Sequence, residues 1–333
     1  MGGLLLKLIA LILSAICCLP SPAAKLELQS NTKIWDKGNH NAFTDLIRYK
    51  GRFYCTFRES EAHVGGDGKL RVLESKDGGK WESAALIEET GVDLRDPKLS
   101  ITGDGRLMMV AGGSIYEGTR ALKGKQPRVM FSKDGKQWTP PQKVLTDGEW
   151  LWRVTWFKGH AYGVSYNSSP ANKVNWIVTL FDSADGISWN KLTTLDVPGH
   201  PNESTLRFLK NGDAMLLMRR DGPENKARIG VSKPPYKDWQ WTSANHSIGG
   251  PNFVVLKDGR MIAAGRDSRQ VPKYTTAVGF LTKDGYTPEL TLPSSGDTSY
   301  PGMVWYKGML WMSYYSSHEG KTSIYLAKIK LNP

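Results

Sequence analysis

Three copies of one seven-residue pattern, Ser-x-Asp-Gly-x-x-Trp, constrain this chain more than any other feature: Ser75–Trp81, Ser132–Trp138 and Ser183–Trp189. At ordinary residue frequencies those four identities at those offsets arise by chance only about once in several hundred thousand positions, so three occurrences define a repeat. Two degraded copies extend it, Ser232-Lys-Pro-Pro-Tyr-Lys-Asp-Trp239 and Thr282-Lys-Asp-Gly285. The copies recur at roughly 50 residues, the period of propeller blades and longer than that of helical solenoids.

A second repeat runs out of phase with the first. Six times an apolar run meets a Gly-containing turn and another apolar run follows: around Lys50-Gly51, Asp104-Gly105, Lys158-Gly159, Asn211-Gly212, Asp258-Gly259 and Lys307-Gly308. Glycine supplies the positive φ of a tight hairpin, and the flanking aromatic and branched residues suit buried strands. Each period then holds a hairpin, a loop and a second hairpin carrying the Ser-Asp-Gly-Trp turn. The sequence thus predicts an all-β, six-bladed propeller spanning about residues 30–331, with blade-one strands beginning near Ala42 and one domain over residues 25–333.

Residues 1–24 read as a secretory signal: Lys7, the apolar stretch Leu8 to Leu19, and the small-residue site Ser21-Pro22-Ala23-Ala24. The apolar run is short of the ~20 residues a membrane span needs, so no stable span is expected after cleavage, and the mature protein is expected to be secreted or periplasmic. Cys17 and Cys18 raise a lipoprotein reading, but Ile16 and Cys17 stand where the residue before a lipidated cysteine is small. Beyond the signal Cys55 is the sole cysteine, and it lies in an apolar run as a core residue would. That leaves no intramolecular disulfide and no thiolate metal site. The six histidines are scattered without ligand-like spacing, so neither metal nor cofactor is expected.

The net charge of +12 favours anionic partners. Its basic residues are dispersed, and export removes most nucleic acid from reach, so an acidic glycan is the expected partner and nucleic acid is not.

Strand alternation places the chemistry. The three Trp-containing turns lie on one face, where Asp and Ser bond the turn backbone and Trp packs between strands. The residues just before first strands and just after second strands share the other face. Before first strands stand Asp45, Asp96, Arg153, Glu203, Asn252 and Tyr300; after second strands stand Arg58-Glu59, Arg219-Arg220, Arg266-Asp267 and Tyr314-Tyr315. Six blades aim these groups at one funnel.

Here the chain resembles the sialidase (neuraminidase) superfamily, whose six blades carry such Asp-box turns, and the resemblance covers essentially the whole mature chain. More specific than the turns is Asn202-Glu203-Ser-Thr-Leu-Arg-Phe-Leu-Lys-Asn-Gly212 running on to Arg219. It is similar to the stretch in which a Glu at the mouth precedes a carboxylate-binding Arg by sixteen residues. Arg266 resembles another member of the family's arginine triad, Asp297-Thr-Ser-Tyr300-Pro-Gly302 opens the last blade where the family places its tyrosine nucleophile, and Asp96-Pro97 matches a familiar blade-two opening. One departure stands out: the family's Arg-Ile-Pro at the start of blade one is Phe43-Thr44-Asp45-Leu46 here, and Arg58, one hairpin later, compensates only in part.

The resemblance implies a retaining exo-glycosidase acting on a terminal acidic sugar, with a tyrosine in place of the usual carboxylate nucleophile. Tyr300 would attack, Glu203 would take its proton, and Asp67, or else Glu59 or Glu61, would protonate the leaving oxygen. Arg58, Arg219, Arg266, Asp45, Asp96 and Arg153 would bind substrate. Two alternatives remain open at this level: a sialidase-like glycosidase acting on a uronate or neutral sugar, and a carbohydrate-binding propeller without catalysis.

Overall fold

In the computed structural model, residues 24–118, 121–168, 176–270 and 273–332 are described. Of the signal sequence read at residues 1–24, residues 1–23 lie outside them. Six four-stranded antiparallel sheets stand around a central axis. Blade one comprises β2 (His40–Tyr49), β3 (Arg52–Ser60), β4 (Lys69–Ser75) and β5 (Glu82–Ile87); blade two comprises β6 (Asp93–Ile101), β7 (Leu107–Glu117), β8 (Ala121–Ser132) and β9 (Gln142–Lys143). Blade three is β10 (Glu149–Phe157), β11 (His160–Asn167), β12 (Ile177–Ser183) and β13 (Asn190–Leu195), and blade four is β14 (Pro201–Phe208), β15 (Ala214–Arg220), β16 (Arg228–Ser232) and β17 (Gln240–Ser243). Blade five holds β18 (Ile248–Val255), β19 (Met261–Gln270), β20 (Lys273–Leu281) and β21 (Tyr286–Thr291).

The sixth blade joins the two ends of the chain. β22 (Thr298–Tyr306), β23 (Met309–Ser316) and β24 (Ser323–Asn332) form its inner three strands, and its outer strand is β1 (Lys25–Trp35), paired with β24 from Lys25↔Asn332 to Trp35↔Ile324. The repeat pattern places six blades correctly but does not reveal this exchange, because β1 carries neither the hairpin nor the turn signature. Each pair of adjacent blades buries its own apolar cluster. Tyr54, Leu70 and Val72 face Leu94, Leu107 and Met109 between blades one and two, and Leu26, Ile262, Val278, Leu310 and Ile329 fill the seam between blades five and six.

The Ser-x-Asp-Gly-x-x-Trp segments join the third and fourth strands of blades one to three. In each, the Ser hydroxyl accepts the Gly amide (Gly78, Gly135 and Gly186; 2.8–2.9 Å), the Asp carboxylate accepts an amide further on, and the Trp indole donates to the Gly carbonyl at 3.1–3.2 Å. The glycine has a second duty. A Cβ on Gly78 would lie 2.4 Å from the Trp311 ring of blade six, and one on Gly135 would lie 2.2 Å from Tyr54 of blade one. Each turn therefore docks on the second strand of the preceding blade. In the degraded fourth copy Tyr236 takes the left-handed position (φ 64°), and Trp239 still donates to its carbonyl at 2.9 Å.

Candidate functional site

Every first strand carries a register irregularity near its start: between Ala42 and Asp45, Arg95 and Lys98, Leu151 and Arg153, Pro201 and Ser204, Gly249 and Asn252, and Ser299 and Gly302. A bulge re-aims the side chain it carries. Phe43, Asp96, Gly250 and Tyr300 are left-handed there, at φ 65°, 51°, 60° and 51°. The bulged residues, Phe43, Asp96, Trp152, Glu203, Gly250 and Tyr300, are what the six blades deliver to the funnel. Neighbouring side chains lock the bulges together around the axis: the Thr44 hydroxyl donates to the Tyr300 carbonyl at 2.8 Å, the Thr205 hydroxyl to that of Pro251 at 2.7 Å and the Asn252 amide to that of Pro301 at 2.9 Å.

Tyr300 lies at the centre. Its ring meets Phe43 edge-on at 5.2 Å and Trp152 at 5.4 Å, and it packs over Gly250, where a Cβ would stand 2.8 Å from the ring. Its hydroxyl donates to Glu203 Oε1 at 2.5 Å. The other Glu203 oxygen accepts the Arg219 guanidinium and the Gly250 amide, both at 2.8 Å, while Arg219 also reaches the phenol oxygen at 3.2 Å. Burial by itself would raise the Glu203 carboxyl. Arg219, then the Tyr300 hydroxyl, outweigh that, and the group is held below its ordinary value. Burial and the charge of Glu203 push the Tyr300 phenol well above its own.

Asp96 has the opposite character from Glu203. It is buried, no hydrogen bond to its carboxyl is found among the described residues, and burial raises it above the ordinary aspartate value against the pull of Arg95 and Lys98. Two carboxyl groups of one mouth are thus pushed apart, one towards the ionised and one towards the protonated form. Lys98, beneath them, donates to the Thr44 and Pro97 carbonyls, stands 4.8 Å over Trp152 and 5.8 Å over Tyr300, and is lowered by burial to about 8.

The other residues singled out from the sequence are distributed unevenly. Arg266, expected to close its strand, lies within β19, which runs on to Gln270; it flanks Tyr300 electrostatically, among the described residues it has no ion-pair partner, and its guanidinium lies 5.5 Å over Tyr274. Asp45 and Arg153 pair with each other at 2.8 Å, buried in the wall of the channel, where Asp45 also accepts the Leu99 amide at 2.7 Å. Arg58 is fully buried and spent on structure: it bonds Asp93 at 2.6 Å, Ser60, and the Ala62 and Gly65 carbonyls, folding the loop after β3. Within that loop Asp67 is exposed and accepts the Gly91 amide at 3.2 Å, Glu59 is held by Trp35 and Arg71, and Glu61 by Asn39. None of the three carboxylates contacts Tyr300 or Glu203. The loop residue that does turn to the mouth is His63, whose ring meets Phe43 at 5.1 Å.

Sequence reasoning missed Phe43 as a wall of the site, Arg95, Lys98 and Trp152. Phe43 fills the place where the resemblance expects an arginine, and the Arg95 guanidinium lies over its ring at 5.0 Å. The adjacency of Arg95 to Asp96-Pro97 was the one available signal. Blade three adds an aromatic wall in which Trp176 stacks on Tyr166 at 6.1 Å and on His200 at 5.5 Å.

This ring, with its six re-aimed strand starts, has the sialidase-like six-bladed propeller fold. Among solved structures, the chain aligns with a protein of unknown function from Dyadobacter fermentans at a TM-score of 0.82 and 19% identity, over 92% of this chain and 99% of that one. It aligns with the sialidase of Trypanosoma rangeli in complex with the inhibitor DANA at a TM-score of 0.71 and 12% identity, over 92% of this chain but 60% of that one. An α-L-arabinofuranosidase from Fusarium graminearum in complex with an iminosugar inhibitor gives 0.69 and 14%, over 91% and 98%. No family model matches the sequence, and no curated protein does.

Proposed function

We propose that this protein is a retaining exo-glycosidase that removes a terminal acidic sugar from glycans, with Tyr300 as nucleophile. The observation that carries this reading is the Tyr300 hydroxyl at 2.5 Å from an ionised Glu203 that is itself fixed by Arg219 and the Gly250 amide. A phenol is a poor nucleophile until a base takes its proton, and Glu203 is held in the basic form for that step. The anomeric carbon bonds to the Tyr300 oxygen as the phenolic proton passes to Glu203 and the bond to the leaving oxygen breaks. Asp96, whose carboxyl burial biases towards the protonated form, supplies the leaving oxygen's proton and then activates the water that releases the sugar. A neutral nucleophile suits a substrate with its own carboxylate, since a glutamate would repel it. Arg266, without an ion-pair partner among the described residues, supplies a planar fork for that carboxylate, while Arg219, already bonded to Glu203 and Asp221, adds positive charge beside it, with Arg95 on another blade of the rim. Asp67, the acid/base residue suggested by the resemblance, is replaced in this reading by Asp96.

Export by the signal read at residues 1–24 would bring the enzyme to extracellular or periplasmic glycans. A second reading has one observation in its favour: Phe43 puts an apolar ring where an acidic-sugar site would carry a guanidinium, and an arabinofuranosidase shares the fold. Aryl glycosides of sialic acids, uronic acids and neutral pentoses decide between them. Release from an acidic glycoside, together with labelling of Tyr300 by the matching fluoro-sugar, supports the proposal. Release from the pentoside alone moves it to the second reading, and no release from any leaves a binding propeller.

A further inference from the structure

On the seam between blades one and six, three side chains that the reaction does not use converge. His40 opens β2, His63 lies in the loop after β3, and Asp297 directly precedes β22. His40 Nε2 and His63 Nδ1 lie 2.8 and 2.6 Å from one oxygen, Asp297 Oδ2, and the three potential ligand atoms fall within 4.8 Å of one another. The second oxygen, Oδ1, accepts the hydroxyl of the fully buried Tyr315 at 3.0 Å, which orients the carboxylate so that Oδ2 faces the two imidazoles.

We infer that His40, His63 and Asp297 form a binding site for a divalent transition-metal ion, zinc being the best fit. Two imidazole nitrogens and one carboxylate oxygen are the donors that zinc, cobalt and nickel prefer, whereas calcium and magnesium take oxygen sets. Around an ion at about 2.0–2.2 Å from each atom in tetrahedral geometry, neighbouring ligand atoms stand roughly 3.3 Å apart, so each imidazole must retreat by about half an ångström or a little more. His63 can do so, because its side chain is 48% exposed on a surface loop, and the same exposure gives the ion an entry path. The Tyr315 hydroxyl is the outer partner that such a carboxylate needs. His40 Nδ1, by contrast, is buried without a hydrogen-bond partner among the described residues. An imidazole without that outer bond is a weaker ligand, by about ten- to a hundredfold in metal affinity.

Three protein ligands leave a fourth position for water or for an oxygen of a bound molecule. The site is joined to the tyrosine by one ring: Phe43 stands 5.1 Å from His63 and 5.2 Å from Tyr300. The ion ties the loop after β3 to the last blade at the rim of the funnel. Its ligands come from segments more than 200 residues apart in sequence, so no spacing motif announces them.

Tag-free protein stripped with a chelator and titrated calorimetrically with zinc chloride tests the site, with cobalt chloride as an absorbing probe. One zinc per chain, a cobalt spectrum of nitrogen and oxygen ligation, and no binding of calcium chloride are expected. His63→Ala and Asp297→Asn should each weaken zinc binding by at least about tenfold. His63 is on the surface, so its variant should melt as the parent does and decides the matter if Asp297→Asn misfolds. No saturable uptake by the parent protein, or uptake that His63→Ala retains unchanged, overturns the inference and leaves two imidazoles bonded to one carboxylate.

Discussion

Glu203 and Tyr300 share a proton path of 2.5 Å, so they act as one group. Tyr300→Phe and Glu203→Gln should each lower turnover by several orders of magnitude, and the double variant should lose little beyond the worse single one, because a step already disabled cannot be disabled twice. Turnover near the parent's in Tyr300→Phe would instead make the ring a packing surface. On the proposed mechanism the carboxyl pair also sets the pH dependence. Glu203 must be ionised, and Arg219 and Tyr300 hold it below the ordinary glutamate range, so kcat/KM falls only as pH drops through that lowered value. Asp96 must be protonated, and burial raises it above the ordinary aspartate range, so kcat/KM falls again as pH rises through the raised value. Asp96→Asn should abolish the alkaline limb and slow poor leaving groups more than activated aryl ones. An alkaline limb that persists unchanged in Asp96→Asn assigns the acid to another residue.

The strand-start bulge is the element that makes the site. In a regular strand successive side chains alternate between faces; the irregularity breaks that alternation in all six blades and delivers Phe43, Asp96, Glu203 and Tyr300 to one axis. Left-handed backbone at Phe43, Asp96 and Tyr300 costs roughly 1–3 kcal/mol each, strain that the interlocking Thr44, Thr205 and Asn252 bonds hold in place. Gly250 serves both the bulge, at φ 60°, and the tyrosine packed on it. Gly250→Ala should therefore displace the Tyr300 ring, cutting kcat by at least about tenfold with a smaller change in KM, a split that kinetics beside a thermal melt will show. Turns on the opposite face should behave inversely. Trp138→Ala removes a partly buried ring from the seam of blades one and two and should cost about 2–4 kcal/mol of stability, while the folded fraction keeps its substrate affinity. Loss of affinity at an unchanged melting temperature would contradict that division of faces.

At the scale of the whole molecule, stability depends on closing the ring. β1 covers the outer edge of β24 and buries Leu26 and Trp35, whose indole also donates to Glu59 of blade one at 2.8 Å. An open edge would expose a row of unpaired backbone groups and uncouple blade six from blade one, the seam that holds Phe43 against Tyr300. Deleting residues 25–35 should abolish the single cooperative thermal transition seen by circular dichroism and abolish activity with it. A truncated chain that still melts cooperatively at the parent temperature would show that the inner three strands suffice.

Blade count, strand order within a blade, and the face on which each turn lies are legible in the amino-acid sequence, because they follow from local signals: strand alternation, a glycine in each tight hairpin, and a Ser-Asp-Gly-Trp turn that satisfies its own backbone. The sequence also pointed to Tyr300 and Glu203 near the starts of first strands and to Arg219 and Arg266 on second strands, four residues that meet around one phenol. Which partners surround those positions depends on how the blades pack. Asp45, Arg153 and Arg58 sit where strand ends predict exposed mouth residues, yet packing of the blades buries all three: Asp45 and Arg153 pair in the channel wall, and Arg58 is neutralised by Asp93 of blade two beneath the loop after β3. The exchange of β1 into blade six, the pairing of Phe43 with Arg95 and the meeting of His40, His63 and Asp297 all join segments from different blades. Such contacts depend on how six sheets pack around one axis, a relation between distant residues that no local pattern encodes.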